Sequence, residues 1–145
     1  MRKTLIFVTC SLLCSLTFIA CDKLFVHISG KEVDLQGKWQ MVNADTVYYN
    51  FQNSLFQYQM YRNENQMMSG IGYYILDGET HIELRLLQEH TQNWLINHLS
   101  NLEWDILPSP TGEQDTIIKT YKIDKFTKKE LILSSDNERL SFHKF

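Results

Sequence analysis

Cysteine, alanine, proline and positive charge are all scarce in this chain, and each scarcity narrows what it can be. Of three cysteines, Cys10 and Cys14 sit inside an apolar leader and Cys21 follows it directly. None occurs from residue 22 onward, which excludes a disulfide or a thiolate metal site within that part of the chain. Beyond residue 20 the one alanine is Ala44, so the strongest helix former is nearly absent and a helical bundle is disfavoured. The two prolines, Pro108 and Pro110, fall together. Fourteen basic residues against seventeen acidic ones leave a net charge of −3, which argues against nucleic-acid binding by electrostatics. The apolar run from Leu5 to Ala20 is 16 residues long. A helix needs about 20 to span a bilayer. What remains is 145 residues, 43% of them hydrophobic, enough for one domain with its own core.

Arg2 and Lys3 before the uncharged run, and a small residue at its end, make a secretory signal. The string Phe18-Ile19-Ala20-Cys21 resembles a bacterial lipobox, with Phe18 where leucine is usual. There, signal peptidase II cuts before a cysteine whose thiol has been lipidated. A plain signal cut near Ala20 would instead leave Cys21 as a free thiol. The chain is read as a lipoprotein signal peptide over 1–20, the lipidated Cys21 and a tether over 21–34, and a domain over 35–145. Cleavage removes Arg2 and Lys3 but no acid, so the net charge deepens to −5. The expected partner is a membrane, reached through acyl chains on Cys21 that contribute about 0.8 kcal/mol per buried CH₂.

From Leu35 onward, short segments alternate with period two between turn residues. Strands are expected near 37–42, 46–52, 54–62, 69–76, 79–87, 115–125, 129–135 and 138–145. Asp77-Gly78 is the strongest hairpin signal. Between His90 and Leu102 the apolar spacing of Trp94, Leu95, Leu99 and Leu102 predicts a short helix, with Thr91 as its cap. A ninth, irregular strand fits 101–107, before Pro108-Ser109-Pro110-Thr111-Gly112. Parity predicts the inner face: Trp39 and Met41, then Val47, Tyr49 and Phe51, then Phe56, Tyr58 and Met60. Ile71, Tyr73 and Ile75 follow, with Ile82, Leu84 and Leu86. The later strands add Ile117, Tyr121, Ile123, Leu131, Leu133, Leu140 and Phe142. One apolar and one polar face on eight successive strands predict an all-β, eight-stranded antiparallel up-and-down barrel with one short helix.

Leu35-Gln36-Gly37-Lys38-Trp39 carries the Gly-x-Trp that opens lipocalin-like and fatty-acid-binding-like barrels. The string from Tyr121 to Leu133 is similar to the penultimate hairpin of small lipocalin-like lipoproteins of Gram-negative gut bacteria. The resemblance spans 35–145. It implies a lipid-anchored barrel of the cell envelope, in the outer membrane, on a side left open. In such barrels a basic residue of the last strand packs over the Gly-x-Trp indole. Arg139 and Lys144 are the two available. Pairing of the first and last strands brings residues near 38 beside residues near 144, which selects Lys144 and makes Gly37, Trp39 and Lys144 the barrel closure.

No catalytic motif is present: no HExxH among His27, His81, His90, His98 and His143, no Gly-x-Ser-x-Gly, no P-loop. The sequence points to a non-enzyme with no cofactor and no metal. His81, Glu83 and Arg85 read as an outer face. Gly70-x-Gly72 reads as relief of a tight bend. Lys119 shares parity with the inner residues. It either snorkels from an open end or anchors the acidic head of an apolar ligand. For that ligand the lumen walls would be Tyr49, Phe51, Phe56, Tyr58, Tyr73, Leu84 and Tyr121 with Lys119. The alternative is a barrel filled by its own side chains and working as an interaction module for an envelope protein, with Trp94, Trp104 and the 108–112 loop as contacts. Asp45-Thr46-Val47 and Asp115-Thr116-Ile117 resemble acceptors of periplasmic O-glycosylation in some gut bacteria, on Thr46 and Thr116.

Overall fold

Strand-forming residues between turns organise nearly all of the chain from Gly37 to Lys144. The computed structural model describes residues 30–145 apart from Glu113, and side chains from Val33. The expected leader, Cys21 and the expected tether as far as residue 29 lie outside the described residues. A six-residue helix α1 (Gly30–Leu35) replaces the end of the expected tether. Then come β1 (Gly37–Met41), β2 (Ala44–Gln52), β3 (Leu55–Asn63), β4 (Gln66–Asp77), β5 (His81–Thr91) and helix α2 (Asn93–Asn101). The chain continues as β6 (Asp105–Leu107), β7 (Thr116–Phe126), β8 (Glu130–Ser134) and β9 (Arg139–Lys144).

All pairings are antiparallel, in the order β5-β4-β3-β2-β1-β9-β8-β7, and β5 pairs back to β7. Eight strands therefore close a barrel and leave no edge among themselves. The short β6 is the irregular ninth strand, attached to β7 with Ile106 opposite Ile117. Asn53, at a φ of 55°, and Gly78, at a φ of 59°, make the tight turns before β3 and β5. Successive hairpins place the 42–43, 64–65 and 135–138 connections and α2 at one end. The chain entry, the 127–129 turn and the C-terminus lie at the other.

The inner face is as expected on seven strands: Trp39, Tyr49, Phe51, Phe56, Tyr58, Leu84, Leu86, Ile117, Tyr121, Leu131, Leu133 and Phe142 are buried. On β4 the expectation is overturned. Ile71 and Ile75 are exposed and Tyr73 lies outward, while Gly70, Gly72 and Tyr74 take the inner positions. Register explains this. Phe56 pairs with Gly72 and Tyr58 with Gly70, and directly opposed residues share a face. A Cβ on Gly72 would lie 1.9 Å from the carbonyl oxygen of Arg85, so only glycine lets β4 approach β5 there.

Two local expectations also fail. Thr91 does not cap α2. It ends β5, buried, and its hydroxyl donates to the carbonyl of Leu87 at 2.8 Å, leaving Gln92 as the cap residue without a side-chain bond. Trp104 is not a surface contact: it is buried, with its ring edge-on to Tyr58 at 6.1 Å.

Candidate functional site

The α2 end holds the chemistry. Leu95 and Leu99 on one face of α2 are fully buried, and Trp104 joins them in the core. The helix stops at Leu102 through two backbone bonds, Glu103 N–H to the Ser100 carbonyl and Trp104 N–H to the Leu99 carbonyl. Glu103 adopts a φ of 59°, the left-handed position usually given to glycine in this cap. That turn aims two carbonyls inward.

They meet Lys119. Its side chain points into the barrel, and its ammonium donates to the carbonyls of Leu102 at 3.1 Å and Glu103 at 3.0 Å. Glu138, in the 135–138 turn, lies 3.4 Å from the same Nζ. The Tyr121 hydroxyl donates to Glu138 Oε1 at 2.8 Å, and the Tyr49 hydroxyl lies near it. A polar chain thus runs from Tyr121 through Glu138 to Lys119 and the segment above. Burial, chiefly, pushes the Tyr49, Tyr58 and Tyr121 hydroxyls well above their ordinary value of 10.0, and the charge of Glu138 adds to it. These phenols are neutral donors at any physiological pH.

Below the polar chain, rings fill the lumen. Tyr49 contacts Phe142 at 4.6 Å and Phe56 at 5.2 Å, and Phe51 contacts Phe56 at 5.3 Å. Of the residues named as lumen walls, Tyr49, Phe51, Phe56, Tyr58, Leu84, Lys119 and Tyr121 come together there. Tyr73 does not. Its hydroxyl accepts from Arg85 on the outer surface at 3.1 Å. Glu138 is not among the residues the sequence points to, and Trp104 is expected from it only as a surface contact. Glu138 sits in a turn, where parity has no meaning, and Trp104 follows a helix stop that no glycine marks.

At the other end Lys144 pairs with Trp39 across β9 and β1, and its ammonium stands 5.2 Å from the centre of the indole. The Trp39 N–H donates to the Leu35 carbonyl and the Lys144 ammonium to the Asp34 carbonyl, both at 2.8 Å. Arg139 is distant and exposed, 3.8 Å from Asp124. Thr46 is exposed near the start of β2, and Thr116 is half-buried on β7 between β5 and β6.

The model of the lipocalin-like domain matches residues 16–145. The chain belongs to the lipocalin-like family. A lipocalin-like protein from Bacteroides uniformis is 27% identical, with a TM-score of 0.57 over 77% of this chain and 99% of that one. An uncharacterized protein from Bacteroides eggerthii shares the fold at 22% identity, with a TM-score of 0.54 over 77% of this chain and 100% of that one. No curated protein matches the chain. Among the described residues no helix of this lipocalin-like chain is long and apolar enough to cross a membrane.

Proposed function

We propose that this is a non-enzymatic binding protein of the bacterial cell envelope, lipid-anchored through Cys21 in the outer membrane, whose barrel takes a small apolar or amphipathic ligand at the α2 end. One observation carries the reading: the segment from α2 to Trp104 occupies the barrel mouth as such a ligand would. Leu95, Leu99 and Trp104 supply the apolar body, and two carbonyl oxygens face Lys119 as a head group would. Displacing the segment would strip Lys119 of both carbonyls and leave Glu138 as its partner. A carboxylate or phosphate head group would restore the lost bonds.

The test is a titration with dodecanoate, followed by tryptophan fluorescence in a Trp94→Phe background. Binding is expected to move Trp104 into water and shift the emission to the red. Lys119→Met should weaken binding by about ten-fold or more. No shift up to the solubility limit would reject the reading. A second reading, an interaction module with a permanently filled barrel, is supported by the ring contacts of Tyr49, Phe56 and Phe142 and by Trp94, which stays partly exposed against His98 and Arg62. A negative titration would favour it. Anchoring is tested separately, by metabolic labelling with a fatty acid that Cys21→Ser should abolish.

A further inference from the structure

Between Asp45 and Arg62 the chain has no charged residue, although charged residues make up 21% of the whole. Alternation sends half of that segment into the core. The other half forms the outer face of β2 and β3, and register sorts it into rows. Tyr48 lies beside Gln59 and Asn50 beside Gln57. Gln40 of β1 continues the first row, opposite Tyr48. All five side chains are half-buried rather than freely solvated. An outer barrel face with only solubility to provide would carry charges of both signs.

Aromatic rings stand at one end of these rows. Tyr61 and Phe145 meet Tyr48 edge-on at 5.7 and 5.9 Å, and the Lys38 ammonium is engaged over the Tyr48 ring at 4.2 Å. The amides beside the rings are not all satisfied. Gln40 spends its amide on the Asp45 carbonyl at 2.8 Å and the Tyr48 hydroxyl at 3.0 Å. Gln59 Oε1, however, is shielded from solvent and has no hydrogen-bond partner. Such an acceptor costs free energy where it lies, and turning the Gln59 side chain outward would present it to a ligand on this face.

We infer that the outer face of β1–β3 binds a neutral carbohydrate chain, independently of the barrel interior. A sugar hydroxyl both donates and accepts, as an amide does, so rows of Gln and Asn match rows of hydroxyls. Tyrosine and phenylalanine rings accept the C–H faces of pyranose rings as apolar surface. With no carboxylate among these rows and one cation beside them, Lys38, held over the Tyr48 ring, the amides dominate the face and match a neutral ligand. An open outer face suits an extended chain laid across the strands rather than a compact molecule held in a pocket.

The test is affinity electrophoresis of the purified protein in gels containing dextran, laminarin, galactomannan or xylan, with polygalacturonate as a charged control. At least one neutral polysaccharide should retard the wild type. Tyr48→Ala and Gln59→Ala, both on the outer face, should weaken that retardation by about ten-fold while keeping the wild-type circular dichroism. Trp94→Ala should leave it unchanged. Absence of retardation by every neutral polysaccharide, retardation by polygalacturonate alone, or retardation of both variants equal to that of the wild type would overturn the inference. So would a concentration-dependent dimer that Tyr48→Ala dissolves, since the face would then belong to a second copy.

Discussion

The ammonium of Lys144 lies over the indole of Trp39 from the directly opposite position on the neighbouring strand, 5.2 Å from the ring centre. Both groups are also spent on the entering chain, Lys144 on the Asp34 carbonyl and Trp39 on the Leu35 carbonyl. First strand, last strand and entry segment therefore share one contact. Gly37 makes room for it: at a φ of +115°, a Cβ there would sit 3.1 Å from Lys144 Cε.

Lys144→Ala should therefore cost stability, not solubility. A cation–π contact and a charged hydrogen bond together are worth about 1–3 kcal/mol. For a domain of this size that lowers the melting temperature by roughly 4–8 °C per kcal/mol. Lys144→Arg should keep most of it, because a guanidinium can stack on the indole and still donate. An unchanged melting temperature in Lys144→Ala would show that the contact contributes nothing.

Gly72 is the most sterically constrained glycine of the barrel, and Gly78 one of the least. A methyl at Gly72 would meet the Arg85 carbonyl at 1.9 Å, whereas nothing lies within 4 Å of a Cβ at Gly78. Gly72→Ala must push β4 from β5 and should cost at least about 3 kcal/mol, measured as a loss in urea midpoint. Gly78→Asn, at a φ of 59° that asparagine tolerates, should cost less than about 1 kcal/mol. Comparable losses in the two variants would contradict this packing.

Stability should fall on the alkaline side. Tyr49, Tyr58 and Tyr121 hold their protons more tightly folded than unfolded, since burial raises each above 10.0. Their contribution is fully present below pH 10 and is lost as pH climbs past it, because only the unfolded chain then ionises. Each tyrosine adds a slope of up to about 1.4 kcal/mol per pH unit. Urea denaturation at pH 8, 10 and 11.5 should show the decline, and Tyr58→Phe should make it shallower. A flat profile to pH 11.5 would mean the phenols are not buried as described.

Much of this barrel is legible before any coordinate is known, because a two-sided strand writes its burial into alternate letters. Trp39, Tyr49, Phe56, Leu84 and Leu131 follow from parity alone, and pairing of the terminal strands is enough to choose Lys144 over Arg139. The β4 strand defeats that logic. Ile71, Tyr73 and Ile75 are more apolar than Gly70, Gly72 and Tyr74, yet they face out, because the inner positions are set by the space left beside Leu86 and Arg85. Hydropathy does not register space. Likewise the stop of α2 uses Glu103 where glycine would signal it, so nothing in the letters announces that Trp104 turns inward.

Lys119 carries the most direct test of the α2 end. Parity places it inside, and its charge is tolerable there because Glu138 and two carbonyls surround it. Removing one member of such a pair leaves the other charge stranded. Glu138→Leu should cost about 3 kcal/mol, since it strands the ammonium and takes the acceptor from Tyr121 as well. Lys119→Met alone should cost less, because Glu138 is the more exposed partner, with 24% of its side chain open to water against 9%. The double variant, Lys119→Met with Glu138→Leu, should recover part of the loss, as apolar replacements of a buried pair often do. A double-mutant cycle read by urea denaturation gives the coupling directly. Strict additivity would mean the two residues do not interact across the mouth of the barrel, and the link from Lys119 to the helix above would rest on its two carbonyl bonds alone.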